Sequence, residues 1–341
     1  MATTEATRLL FFDVINSVKG GSGKSSVSLL LAAALKKAGA SVYIIDMDLR
    51  GSSWHSNFDI SGQLSNYISI NDLMDVVAFP PTSYPFVDIP LEVTISRAKQ
   101  RMDIPAAIVN TNKSKPVDEV ETDLFERAIF QIIEYVIVKE AASSPTSVHI
   151  IFDMPPSYEQ HAERVLEHLL LNGDSPLMRK FDNPKKEYCS YDPYVVNLIM
   201  LSAISTAHLS LNELYVDRFA KAKKFSSRVD QLLTKGRLHL LFWGNDVVGT
   251  ASDPNVTAVR DNFINKLTAA QDSAAKKLTN SVDLQSKIAS FPPIIIDHNA
   301  KLLHDIQPYT NPSSTDKSLS EEDMAVFDVF SKDTCVKQYK A

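Results

Sequence analysis

The segment from Leu9 to Ala38 constrains the fold more than any other part of the chain. An apolar run, Leu9–Val18, leads directly into Lys19-Gly20-Gly21-Ser22-Gly23-Lys24-Ser25-Ser26. A Leu- and Ala-rich helical stretch, Lys24–Ala38, follows, with Gly39 where a C-terminal cap belongs. A buried strand that turns through closely spaced glycines into a helix gathers backbone N–H groups and a helix N-terminus around one point, which is a phosphate site. In that geometry Lys24 reaches the β- and γ-phosphates of a nucleotide and the Ser25 hydroxyl ligates Mg²⁺. Gly20, Gly21, Ser22, Gly23 and Ser26 complete the cradle. The alternative is a glycine-rich turn with two surface lysines, and the spacing between a good strand and a good helix argues against it.

Further apolar runs occur at Ser41–Asp46, Val148–Asp153, Val195–Leu201, Leu238–Trp243 and Pro293–Asp297, with helical patterns between them. Runs that are apolar on both faces and spaced by helices predict an α/β fold, a doubly wound, mostly parallel sheet flanked by helices. A chain of 341 residues can bury one large core. Residues 1–310 read as a single domain, and 311–341 as a polar tail with a short helical pattern at Glu321–Ser331. An enlarged connection at 55–147 is the least regular region. Within it Asn71–Val77 and Glu119–Ala141 read as helices and Ile104–Val109 as a strand. Asn172–Pro193, rich in turn residues, reads as a second irregular segment.

The ordinary phosphate-loop pattern GxxxxGK[ST] requires a glycine at position 18, where this chain has Val18. What stands there instead, KGGSGKS, resembles the deviant Walker A signature of the ParA/MinD family of P-loop ATPases, in the form of the ParA partition ATPases. The resemblance implies that Lys19 reaches across a dimer interface to the nucleotide of the partner subunit. Asp46-Met47-Asp48-Leu49-Arg50-Gly51 resembles the family's switch I motif, DxDxxG. By that resemblance Asp48 orients the hydrolytic water and Asp46 lies close to the Mg²⁺ shell. Asp153-Met154-Pro155-Pro156-Ser157 resembles the Walker B/switch II segment, with Asp153 near Mg²⁺ through water; Met154 departs from the small or polar residue usual there. An aspartate that closes an apolar strand is often only a turn former or a cap, but three matched segments stand here in the family's order. Val196–Phe219, Leu241–Asp246 and Ile294–Ile306 resemble later family segments more loosely. Asn245 is the candidate contact to the adenine base, a turn residue in GND being the alternative.

The resemblance implies ATP and Mg²⁺ as cofactors, ATP hydrolysis, a homodimer that sandwiches ATP, and an activating adaptor protein. The implied role is a nucleotide-timed switch in segregation or positioning of DNA or another cargo. The alternative is a nucleotide-dependent scaffold subunit of a larger assembly with little hydrolysis. The formal net charge of −6 sets up no global basic field. The densest basic stretch, Arg218, Lys221, Lys223, Lys224, Arg228, Lys235 and Arg237, is either a contact to nonspecific DNA or a solvated helix face. The two cysteines, Cys189 and Cys335, are far apart and form no CxxC pair, which argues against a thiolate metal site. The tail SLSEEDMAVFDVFSKDTCVKQYKA begins acidic, whereas an interfacial helix carries Lys and Arg beside its apolar face, so membrane binding is not expected. The opening MATTEATRLL lacks a signal-peptide pattern, and a cytoplasmic location is expected.

Overall fold

Strands with two apolar faces are stable only when neighbours flank them and helices cover them. The computed structural model describes residues 9–50, 54, 69–78, 93–95, 104–107, 118–141, 147–156, 159–172, 174–182, 194–204, 206–221, 230–247 and 254–297. In chain order the elements are β1 (Leu9–Asn16), α1 (Lys24–Lys37), β2 (Ser41–Asp46), α2 (Ile70–Ala78), β3 (Val93–Ile95), β4 (Ile104–Ala107), α3 (Glu119–Ala141) and β5 (Ser147–Asp153). Then come α4 (Gln160–Arg164), continued by a π-helical turn at Val165–Leu170, α5 (Pro176–Asp182), β6 (Val195–Ala203), α6 (Thr206–Lys221), β7 (Leu238–Val247), α7 (Pro254–Leu278), α8 (Val282–Ala289) and β8 (Ile294–Asp297).

The strands form one eight-stranded sheet in the order β3-β4-β2-β5-β1-β6-β7-β8. All pairings are parallel except β3 with β4, an antiparallel edge. The expected doubly wound, mostly parallel sheet is therefore present. Beside β1 the chain order reverses, with β5 and then β2 on one side and β6 on the other. Open α/β sheets bind ligands in the crevice such a reversal leaves at the C-terminal strand ends.

Two apolar layers hold the sheet. On one face Val27, Leu30, Leu31 and Leu35 of α1 pack with Phe11, Ile15, Ile151 and Trp243. On the other, Phe125 and Ile129 of α3, Leu166, Val216 of α6 and Leu267 of α7 pack with Phe12, Ile150, Phe152 and Leu198.

The α1 face also carries a buried polar row. His149 Nδ1 lies 2.7 Å from Asp13 Oδ2, Asn197 Nδ2 donates to Asp13 Oδ1 at 2.6 Å, and His239 Nδ1 lies 2.8 Å from Asn197 Oδ1. Because the amide oxygen can only accept, His239 donates from Nδ1. The row crosses β5, β1, β6 and β7, so a one-residue slip of any of these strands would bury polar groups without partners and point them at the wrong face.

Several boundaries differ from expectation. β1 stops at Asn16, because Ser17 and Val18 already belong to the turn. β7 continues to Val247, which puts Asn245 inside a strand, paired with Ala203, and not in a turn. The stretch Asn172–Pro193, expected to be irregular, contains α5. The tail 311–341, Cys189 and most of the 55–147 connection lie outside the described residues. Among the described residues no helix is long and apolar enough to cross a membrane.

Candidate functional site

The turn after β1 is held from two directions. The Val18 N–H points to Asn212 Oδ1 of α6 at 3.4 Å, and Asn212 Nδ2 donates to the Leu201 carbonyl at 3.0 Å and to Ser202 Oγ at 2.8 Å. From the other side Asn245 Nδ2 donates to the Ser22 carbonyl at 2.8 Å. Gly21 and Gly23 adopt φ of 74° and 84°, the left-handed region that glycine enters without strain. Gly23 also forms the N-terminal cap of α1. The helix thus starts with N–H groups turned towards the loop and no acidic side chain in its first turn. Ser22 Oγ is buried without a hydrogen-bond partner, an orphaned donor inside the cradle.

Lys24 and Lys19 differ in setting. Lys24 is buried, and burial lowers its pKa against the opposing pull of Asp153 and then Asp48. Lys19 is exposed, at the rim of the loop. It lies near His208 of α6, whose pKa is lowered first by burial and then by the charges of Lys19 and Lys24.

The carboxylates sit at neighbouring strand ends. Asp46 and Asp153 are register partners on β2 and β5, and Met47 N donates to the Asp153 carbonyl at 3.0 Å. Asp46 Oδ1 accepts from Asp48 N at 3.0 Å and Asp48 Oδ1 from Arg50 N at 2.9 Å, two successive local turns that fix the segment. Asp153 is buried, and desolvation raises its pKa, while hydrogen bonds from Ser25 and Trp54 and the charge of Lys24 act the other way. Its Oδ2 accepts from Trp54 Nε1 at 2.6 Å, and its Oδ1 is buried without a hydrogen-bond partner. Met154, the departure from the family pattern, donates its backbone N–H to the Ile15 carbonyl at 3.2 Å and buries its side chain in the core.

The sequence-predicted residues Gly20, Gly21, Ser22, Gly23, Lys24, Ser25 and Ser26 therefore form one loop and helix start, with Asp46, Asp48 and Asp153 at the ends of the adjacent strands β2 and β5 and Asn245 near the end of β7, on the other side of β1. Asn212 and Trp54 were not singled out by the sequence. Asn212 is one polar residue in a helix, and Trp54 is a single aromatic residue between the carboxylate motif and the 55–147 connection. Neither carries a local signal. In the basic stretch, Arg218 gives both terminal nitrogens to Glu163, at 3.1 and 2.9 Å, and Arg237 Nη1 is buried. Lys235 is exposed, and Lys223, Lys224 and Arg228 lie outside the described residues.

A parallel sheet with a glycine-rich strand-to-helix turn and a following lysine and serine at its switch point is the arrangement of a P-loop fold. Residues 12–111 match the ParA family model, described as NUBPL iron-transfer P-loop NTPase. A solved plasmid partition protein of Borrelia burgdorferi B31, bound to AMPPNP, superposes with a TM-score of 0.50 at 12% identity, over 95% of this chain and 98% of that one. The Pyrococcus furiosus cell division ATPase MinD aligns over 94% of this chain and 98% of its own, with 14% identity and a TM-score of 0.44. Among curated proteins, the tyrosine-protein kinase CpsD of Streptococcus agalactiae is 30% identical over 128 residues, 36% of this chain and 49% of that protein. The chain thus spans about half the length of the curated relatives it matches. The family match covers residues 12–111, and beyond them the likeness is one of fold.

Proposed function

We propose that the protein is a Mg²⁺-dependent ATPase that forms an ATP-sandwich dimer and acts as a nucleotide-timed switch in segregation or positioning of DNA or another cargo. The observation that carries this reading is the pairing of two orphaned buried oxygens, Ser22 Oγ in the loop and Asp153 Oδ1 beside Lys24 and Ser25. Burying such groups without partners is costly, and a nucleotide with its cation supplies both partners.

The residues fit Mg²⁺: Ser25 offers a hydroxyl, Asp153 a carboxylate with one uncommitted oxygen, and Asp46 a second carboxylate alongside. When bound, the ion neutralises charge on the β- and γ-phosphates. The loop N–H groups of Gly20 to Ser26 cradle the phosphates, and Lys24, kept dry by burial, points its ammonium at the oxygens that gain charge. Asp48 orients a water for in-line attack on the γ-phosphorus, the bond to the β–γ bridging oxygen breaks, and ADP and phosphate leave. Lys19 contributes its charge to the partner subunit's nucleotide, as its rim position allows. Asn245 contacts the adenine from the strand end while holding the loop.

An adaptor protein would trigger hydrolysis. DNA contact falls to Lys235 and its neighbours in the basic stretch, because Arg218 is already paired. The test is phosphate release from ATP with and without Mg²⁺. Free phosphate with Mg²⁺ alone, absent in Lys24→Ala, supports the reading. Transfer of the phosphate to tyrosine without free phosphate, or no turnover with any added DNA or protein extract, counts against hydrolysis.

A further inference from the structure

Asp153 cannot act on a cation unless its carboxylate is aimed, and nothing on its own strand aims it. A terminal carboxylate torsion is broad and roughly two-fold, so the side chain of an isolated aspartate does not choose which oxygen faces where. Two donors from outside the strand reach it, Ser25 at the start of α1 and Trp54, 99 positions away in sequence. Trp54 Nε1 donates to Asp153 Oδ2 at 2.6 Å, which leaves Oδ1 uncommitted. Trp54 is fully buried in the α1-side layer, so the rigid ring holds its N–H at one place.

Three further links tie the Asp46–Arg50 segment to the Asp153 side. Met47 N donates to the Asp153 carbonyl at 3.0 Å, His161 Nε2 lies 3.0 Å from the Met47 carbonyl, and Arg50 Nη1 lies 3.2 Å from Glu159 Oε1. A buried indole N–H would be satisfied by any backbone carbonyl. Here it is satisfied by the carboxylate oxygen opposite the orphaned one.

We propose that Trp54 is a positioning residue for Asp153: its indole N–H occupies Oδ2 and turns Oδ1 to the cation that accompanies the nucleotide. This rests on the reading above that Asp153 serves Mg²⁺. Outer partners of a metal-binding side chain typically change metal affinity by about 10- to 100-fold.

The experiment titrates ADP, which is not turned over, into the full chain by calorimetry with and without Mg²⁺, and takes the ratio of the two affinities. Wild type, Asp153→Asn and Trp54→Phe are compared. Trp54→Phe keeps an aromatic ring and removes only the donor. The expected result is that Asp153→Asn loses most of the Mg²⁺ enhancement and that Trp54→Phe loses about tenfold of it, with Mg²⁺-free ADP affinity unchanged in Trp54→Phe. A purely structural role would lower both affinities together or neither. A wild-type ratio in Trp54→Phe beside a lost ratio in Asp153→Asn overturns the proposal and leaves the Mg²⁺ reading standing. A wild-type ratio in Asp153→Asn overturns both. Should Trp54→Phe not fold, the indole N–H resonances of ¹⁵N-labelled protein decide, with Trp243→Phe assigning the two tryptophans. The Trp54 resonance is expected to move upfield in Asp153→Asn and to shift when Mg²⁺ and ADP are added to wild type. A resonance indifferent to both changes overturns the proposal.

Discussion

Asn245 Nδ2 and the Ser22 carbonyl meet at 2.8 Å across 223 residues of sequence, so the end of β7 is tethered to the glycine-rich loop. A β-carbon on Gly23 would lie 2.2 Å from that same nitrogen, at a φ of 84°. Gly23→Ala should therefore lose nucleotide binding, because left-handed strain of about 1–2 kcal/mol is joined by displacement of Asn245. Gly21→Ala has a φ of 74° but nothing within 4 Å, so it should lose less. Asn245→Ala leaves the Ser22 carbonyl without its donor and should weaken ATP about tenfold, in line with about 1–3 kcal/mol for an abandoned buried partner. Calorimetric titration of the three variants checks the order.

Lys24 and Asp48 should separate binding from turnover. Lys24 is buried where the glycine-rich cradle meets the first turn of α1, so Lys24→Ala is expected to abolish ATP binding. Asp48 lies outside that cradle and is half-buried, so Asp48→Ala should bind ATP normally and release phosphate at least about 100-fold more slowly, at the lower end of general base effects. Filter binding and single-turnover phosphate release measure the two. Wild-type turnover in Asp48→Ala removes it from the catalytic role.

The exposed position of Lys19 leads to a complementation test. In a fused pair of Lys19→Ala and Lys24→Ala subunits, the first keeps its own Lys24 and receives Lys19 from its neighbour, so one of the two sites is whole. Phosphate release should return to up to half the wild-type rate per pair, whereas fused pairs of either mutant with itself stay inactive. A mixed pair that binds ATP and stays inactive shows that Lys19 serves its own nucleotide.

His239 gives a pH prediction with a defined sign. Burial lowers its pKa to about 4, against which the charge of Asp13 acts in the opposite direction. The unfolded chain, with a histidine near its ordinary 6.5, then binds more protons between those values. The contribution to stability is complete above pH 6.5 and is lost as pH falls towards 4, roughly 3 kcal/mol in all. Glu163 acts in the opposite sense, because burial raises its pKa to about 7 and stability declines as pH rises through that value. A melting profile would mix the two. Proton resonances of the His239 ring isolate the first, and they should not titrate between pH 8 and about 5.

The parts of this structure that were legible in sequence are those whose signal is local. The phosphate loop is contiguous, and α3 runs over Glu119–Ala141 as its periodicity predicts, with Phe125, Ile129, Ile132 and Val136 on its buried side. The signal fades where contacts are distant or side chains small. The α7 helix at Pro254–Leu278 buries Ala270, Ala274 and Ala275 beside Phe263 and Leu267, and alanines mark no clear stripe. The row Asp13, His149, Asn197 and His239 reads as four isolated polar residues in apolar runs until strand register brings them together. Asn212 and Trp54 have the same character: each earns its place through one bond to a residue far along the chain.

The central claim is a dimer timed by nucleotide, and sedimentation velocity of Asp48→Ala protein tests it most directly. On the proposal that Asp48 orients the attacking water, bound ATP should persist in this variant long enough to sediment with the protein. The account predicts a dimer with Mg²⁺ and ATP, a monomer with Mg²⁺ and ADP, and a monomer with ATP when Lys19→Ala is added. A monomer under all three conditions, in protein that calorimetry shows to be saturated with ATP, would contradict it.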